Sequence, residues 1–232
     1  MKSFVLLIAL LIAFLGFSQS NRASESELDN NYREDQFYAS VTYNLLSEKP
    51  SGVSQTDFSS GFHFGFIRDM PINSKRNVAI GLGLGLSTNS YNQKNILIQE
   101  IDNEVSFIEI DEDDYNVSKN KFTTYLLEIP LEIRWRTSNA EDHNFWRIYT
   151  GFKVGYLLYN STKFKSDLDN QKLSNIDDFN KLQYGLTLSA GYSTWNFHVY
   201  YGLNSIFDEN SEFEGESITM KSIKIGLMFY VL

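Results

Sequence analysis

Cysteine is absent from all 232 residues, which rules out disulfides, thiolate metal sites and a lipid-modified N-terminal cysteine. Histidine occurs only at His63, His143 and His198, without the close spacing of a zinc motif, and the sequence offers no other cofactor-binding signature. Bases are scarce relative to acids, 20 Lys and Arg against 29 Asp and Glu. The resulting net charge of −9 argues against a nucleic-acid partner, because phosphates are bound by Lys and Arg that displace their counterions. Beyond the first twenty residues no stretch approaches the roughly eighteen consecutive apolar residues of a spanning helix, so a helical membrane protein is excluded.

What is present is aromatic and alternating. Aromatic residues make up 15% of the chain, with 14 glycines and only 3 prolines. The opening M-K-S-F-V-L-L-I-A-L-L-I-A-F-L-G-F-S-Q-S has a basic residue, an apolar run and a small, polar end, which reads as an export signal over residues 1–19. Residues 20–35 are polar and aperiodic and read as a flexible leader. From residue 36 to 232 the sequence reads as one barrel domain.

The defining stretch is Thr124–Arg136. Tyr125, Leu127, Ile129, Leu131, Ile133 and Trp135 alternate with Leu126, Glu128, Pro130, Glu132, Arg134 and Arg136, and a period of two means a strand. Similar alternation recurs from Gln36, over Ser59–Arg68, Asn77–Tyr91, Phe145–Tyr159 and Phe179–Thr194, from Asn196 to Asn204, and over Ser217–Leu232. The polar faces are too small and too mixed in charge to be water-facing coats, so the apolar face is assigned to lipid and the other to a lumen. The expected fold is all-β, an eight-stranded antiparallel up-and-down transmembrane barrel with the last strand closing on the first. Long loops at 47–58, 92–120, 160–178 and 206–216 alternate with short turns at 69–76, 137–144 and 193–195. By that alternation the long, largely acidic loops are extracellular and both termini periplasmic, in the cell outer membrane. Within 92–120, Ile96–Ile101 and Val105–Ile110 suggest a hairpin that extends the wall above the membrane.

Strand Asn77–Tyr91 turns Ala79, Gly81, Gly83, Gly85 and Ser87 inward, leaving room for the long side chains of Thr124–Arg136. The G-x-G-x-G run is no phosphate loop, since no helix follows it. Pro130 removes a ladder hydrogen bond and predicts a bulge. An eight-stranded barrel is just wide enough for side chains to fill. Glu128, Glu132, Arg134, Arg136, Arg147, Lys153, Lys181 and Lys224 are therefore assigned to a structural network of lumenal ion pairs, with His63 and His198 as hydrogen-bonding neighbours. No catalytic or metal residues are assigned. A Ser–His–acid hydrolase would need such a group on the outer rim, and His198 points inward.

L-E-I-P-L at 127–131 and R-I-Y-T-G-F-K-V-G-Y at 147–156 resemble the PorT-like family of small outer-membrane barrels, a similarity running from about Phe37 to the C-terminus. The resemblance implies an eight-stranded barrel. Its eponymous member is linked to a protein-secretion and gliding apparatus. The leading reading is a monomeric, non-enzymatic barrel in contact with outer-membrane lipid and lipopolysaccharide, acting through its acidic loops. The alternatives are a subunit of a secretion or uptake complex, with a protein partner, and a lipid- or peptide-hydrolysing enzyme.

Overall fold

The computed structural model describes residues 35–55, 57–101, 104–110, 116–137 and 145–231. The export signal and all but the last residue of the leader lie outside these, as does most of the turn at 137–144.

The described residues form thirteen strands: β1 Gln36–Ser47, β2 Ser60–Pro71, β3 Val78–Asn92, β4 Ile96–Ile101, β5 Glu104–Glu109, β6 Val117–Arg136, β7 Trp146–Ser166, β8 Asn170–Ser174, β9 Leu182–Tyr192, β10 Trp195–Gly202, β11 Glu212–Phe213, β12 Glu216–Ser217 and β13 Lys221–Val231. Eight of them form a closed antiparallel cylinder in the order β1-β2-β3-β6-β7-β9-β10-β13, shut by the pairing of β13 with β1 from Phe37↔Val231 to Ser47↔Lys221. Closure is demanded by the medium. Hydrocarbon offers no hydrogen bonds, so a strand edge exposed to it would leave backbone groups unsatisfied at several kcal/mol each.

Burial alternates along every wall strand, as in β1, where Phe37, Ala39, Val41 and Tyr43 are exposed and Tyr38, Ser40, Thr42 and Asn44 are buried. The exposed row within the band is predominantly apolar all the way round the cylinder, with Arg68 and Thr150 as polar exceptions. All three tryptophans, Trp135, Trp146 and Trp195, face outward near the short-turn end, with Trp146 against Tyr192 and Trp195 against Phe229. Near the opposite end Tyr125 packs on Tyr159, and Tyr43 on Phe58. Amphipathic rings settle where hydrocarbon meets headgroups, so these are the two girdles of a membrane band. At about 3.3 Å per residue and a tilt of about 40°, the climb from Tyr125 to Trp135 is about 25 Å, the height of such a band.

Several boundaries differ from the sequence expectation, each for a physical reason. Strand β2 runs on to Pro71, because Asp69 is held in the ladder opposite Gly81 rather than released into a turn. Strands β6 and β7 continue well above the girdle, paired as far as Val117↔Ser166, and β8 adds to the outside of β7 through Ser161↔Ser174 to Lys165↔Asn170. The predicted hairpin exists as β4–β5, but it does not extend the wall. It belongs to a separate four-stranded sheet with β11 and β12. Its Ile96, Ile98 and Phe107 are buried with residues of the barrel mouth, because an apolar face raised into water would stay exposed.

Pro130 produces no bulge. Pairing of β3 with β6 lapses between Leu82↔Leu131 and Gly85↔Glu128 and resumes in the same register, while Pro130 stays paired with Lys153 of β7. The missing N–H therefore costs a gap on one side only, and Gly83 beside the ring has no Cβ to clash with it. The register shifts of the β6–β7 ladder lie instead at Tyr125/Leu126, at the girdle, where β7 carries the extra residue Leu158, and at Val117/Lys119 above it.

Leu84→Arg, in the middle of the lipid-facing row, should destabilise the barrel by about 2–4 kcal/mol, as charges at the bilayer midplane do. Guanidinium unfolding in lipid vesicles measures this, and a variant as stable as the parent would contradict the assignment of that face.

Candidate functional site

The lumen is filled in three layers. In the middle layer Glu128 of β6 is the shared acceptor: Ser87 of β3 donates to it at 2.9 Å, and His63 Nδ1 of β2 lies at 3.1 Å. The Lys153 ammonium of β7 lies 3.2 Å from its second oxygen. Lys224 of β13 sits over the Tyr200 ring at 4.7 Å.

The layer nearer the short turns is organised by Asp69. Arg136 forks onto it with Nη1 at 2.7 Å from one oxygen and Nη2 at 2.8 Å from the other, and Arg134 Nη1 donates to the first oxygen at 2.8 Å. Paired bidentate geometry is the strong form of such contacts. Arg134 also donates to Gln36 across the lumen and lies 3.5 Å from Glu132. Its guanidinium covers the Tyr149 ring at 4.1 Å. Arg147 lies over Phe145 at 4.4 Å and faces Tyr230 at 5.6 Å.

Among the buried groups of the wall, three acids, Asp69, Glu128 and Glu132, face five bases, Arg134, Arg136, Arg147, Lys153 and Lys224. Acids alone do not balance these bases. Aromatic faces supply the rest of the negative potential, which is why Tyr149, Tyr200, Tyr230 and Phe145 line the positive side chains.

The third layer, toward the long loops, is apolar. Phe122 of β6, Phe179 before β9, Phe207 after β10 and Phe107 of β5 meet edge to face or tilted, with ring centroids 4.7 to 5.5 Å apart. Tyr91 stacks on Phe122 at 4.8 Å, and its hydroxyl reaches Ser222 on the far wall at 2.6 Å. These rings come from three of the long connections and two wall strands, and together they close the mouth.

Seven of the eight residues expected in the lumen lie there: Glu128, Glu132, Arg134, Arg136, Arg147, Lys153 and Lys224. Lys181 does not. It precedes β9, which begins at Leu182, and its side chain is 68% exposed, 3.7 Å from Asp177 at the rim. Alternation extrapolated one residue past the strand start had pointed it inward.

Asp69 was missed because Pro71 and Asn73 signalled a turn. Continuing the inward series Gly61, His63, Gly65, Ile67 by one more step would have found it. His198 has a serine neighbour the linear sequence hides: Ser189, directly opposite in the β9–β10 ladder, lies 2.7 Å from its Nδ1. Both are buried inside the wall.

The chain matches the Outer membrane protein beta-barrel domain family over residues 17–208. It belongs to that family. The match establishes an outer-membrane β-barrel and, with it, residence in the outer membrane. Among solved structures, two of Ail, the attachment invasion locus protein of Yersinia pestis, are similar. The first is 11% identical at a TM-score of 0.39, covering 85% of this chain and 97% of Ail. The second, Ail with the heparin analogue sucrose octasulfate, is 13% identical at a TM-score of 0.37, covering 85% of this chain and 99% of that one. A Rhodopseudomonas blastica porin mutant is 9% identical at a TM-score of 0.22, covering 86% of this chain and 100% of the porin. No curated protein matches.

Asp69→Asn removes the charge that both buried arginines share and should destabilise this outer-membrane barrel by about 3–5 kcal/mol, the usual consequence of stranding a buried charge. Lys181→Ala at the exposed rim should leave stability unchanged. Urea unfolding of both variants in one detergent measures this, and equal effects would refute the division between lumen and rim.

Proposed function

We propose that this family member is a non-conducting, non-enzymatic barrel, a rigid scaffold that presents its long-loop end outside the cell while both termini lie in the periplasm. The observation that carries this reading is the filled lumen: two layers of paired charges and a third of packed aromatic rings leave side chains in contact from wall to wall. The charged set is structural in this reading. Each acid lies within reach of a base, and surplus bases sit on rings, which keeps buried charge tolerable.

The same geometry weighs against hydrolysis. The Ser189–His198 pair is sealed in the wall, where neither lipid nor peptide reaches it. Orientation follows from loop length, since outer-membrane barrels turn their long connections outward.

The second reading, a subunit of a secretion or uptake complex, is supported by the PorT-like stretches at 127–131 and 147–156 and by a groove of about 410 Å³ in the outer wall over Ala39. A lone barrel after mild detergent extraction favours the first reading, and a stable co-purifying protein the second.

Reconstituted into planar bilayers, the purified protein should show no discrete current steps at 100 mV. Regular steps from the parent sequence would sink the non-conducting scaffold. Phe207→Ala, which empties part of the apolar seal, should loosen the mouth and lower stability by about 3–5 kcal/mol.

A further inference from the structure

Above the Tyr125–Tyr159 girdle, lysine pairs with lysine. The ladder sets Lys119 opposite Lys165, Lys121 opposite Lys163, and Lys163 opposite Lys172 of β8. Like charges directly opposed in a sheet are destabilising. Thr162 and Phe164 between them are buried, Phe164 against Leu97 and Ile110, so the lysines occupy the opposite, outer face. Among the described residues none of the five makes an ion pair with a carboxylate. Burial and the neighbouring Lys119 and Lys163 charges hold the Lys121 ammonium below its ordinary pKa. This is a concentration of positive charge on a chain whose net charge is −9.

Below and to the β3 side of Lys121 lies the apolar groove of about 410 Å³, floored by Ala39 and walled by Phe62, Phe64, Leu86, Tyr125 and Phe229. Its upper edge is Thr88 and Tyr125. The Lys121 ammonium donates to Ser90 at 3.2 Å, and Ser90 stands two positions above Thr88 on the same face. A slot for hydrocarbon and a cluster of cations therefore meet at one edge of the membrane band.

We propose that this surface binds lipopolysaccharide, with an acyl chain in the groove and phosphorylated sugar on the lysines. Height selects this lipid over a glycerophospholipid. At the rise and tilt used above, Lys121 and Lys163 stand about 10 Å above the girdle and Lys119 and Lys165 about 15 Å. The headgroup layer of an ordinary bilayer is about 5–8 Å deep on each side, too shallow to reach the upper pair. A tall phosphorylated saccharide reaches both. The inference rests on the long-loop end being the outer one.

The test uses the full mature barrel in micelles, titrated with purified lipopolysaccharide, the same material stripped of phosphate, phosphatidylglycerol, and inorganic pyrophosphate. The intact lipopolysaccharide should bind at least tenfold more tightly than each of the others. The triple variant Lys121→Gln/Lys163→Gln/Lys165→Gln should lose on the order of a hundredfold, from about fivefold per surface lysine. Ala39→Trp, which fills the groove and leaves every lysine, should lose about tenfold, and Lys75→Gln at the opposite end nothing. Heat-dependent gel mobility verifies that each variant is folded. Equal binding of the stripped or glycerol lipid, or a triple variant within twofold of the parent, overturns the proposal. So does a gain above tenfold on neutralising the acidic run at 111–114, which would make that run the partner of the lysines. Asn210→Cys, the single thiol in this cysteine-free chain, reports orientation by labelling on intact cells. Labelling without lipopolysaccharide binding overturns this inference alone, and binding without labelling overturns the orientation as well.

Discussion

Backbone hydrogen bonding in hydrocarbon is the constraint from which the rest follows. A sheet in lipid has no water to satisfy its edges, so β13 must find β1, and a cylinder of eight strands is the result. Once the cylinder is closed, the diameter is fixed, and eight strands leave a bore that side chains must fill. The chemistry of the interior is then a packing problem set by the outside.

The solution pairs bulk with absence of bulk. Strand β3 contributes glycines where β6 contributes its longest groups, and a Cβ at Gly81 would lie 2.7 Å from the Arg134 side chain. Likewise a Cβ at Gly85 would strike the Tyr38 hydroxyl from β1. Filling a lumen with charged groups brings a second requirement, that each charge meet an opposite charge or an aromatic face. Asp69 meets it for two arginines at once, and Glu128 for Lys153. Toward the long loops the filling changes from charge to rings, where the wall leaves the membrane and the loops themselves can fold inward.

Outside the membrane band the same chain behaves as an ordinary protein in water. The β4–β5 hairpin buries its isoleucines over the mouth, and the β6–β7–β8 wall exposes lysines instead of leucines. The long-loop end is therefore mixed in sign, basic on the outer face of that wall, although its loops are acidic by composition.

Period-two alternation in the sequence determined the class of fold and the face that residues within the wall strands take, because lipid and lumen impose opposite chemistry on successive side chains. It also determined that charges would be enclosed, since Glu128, Glu132, Arg134 and Arg136 share one face of a strand whose other face is apolar. Only the tertiary structure decided which charges meet. Asp69 reaches Arg134 and Arg136 from another strand, Ser189 reaches His198 through the register of a hairpin, and Lys181 falls outside because its strand begins one residue later. Register, closure and loop packing are long-range properties, and no local pattern encodes which strand will stand across the bore.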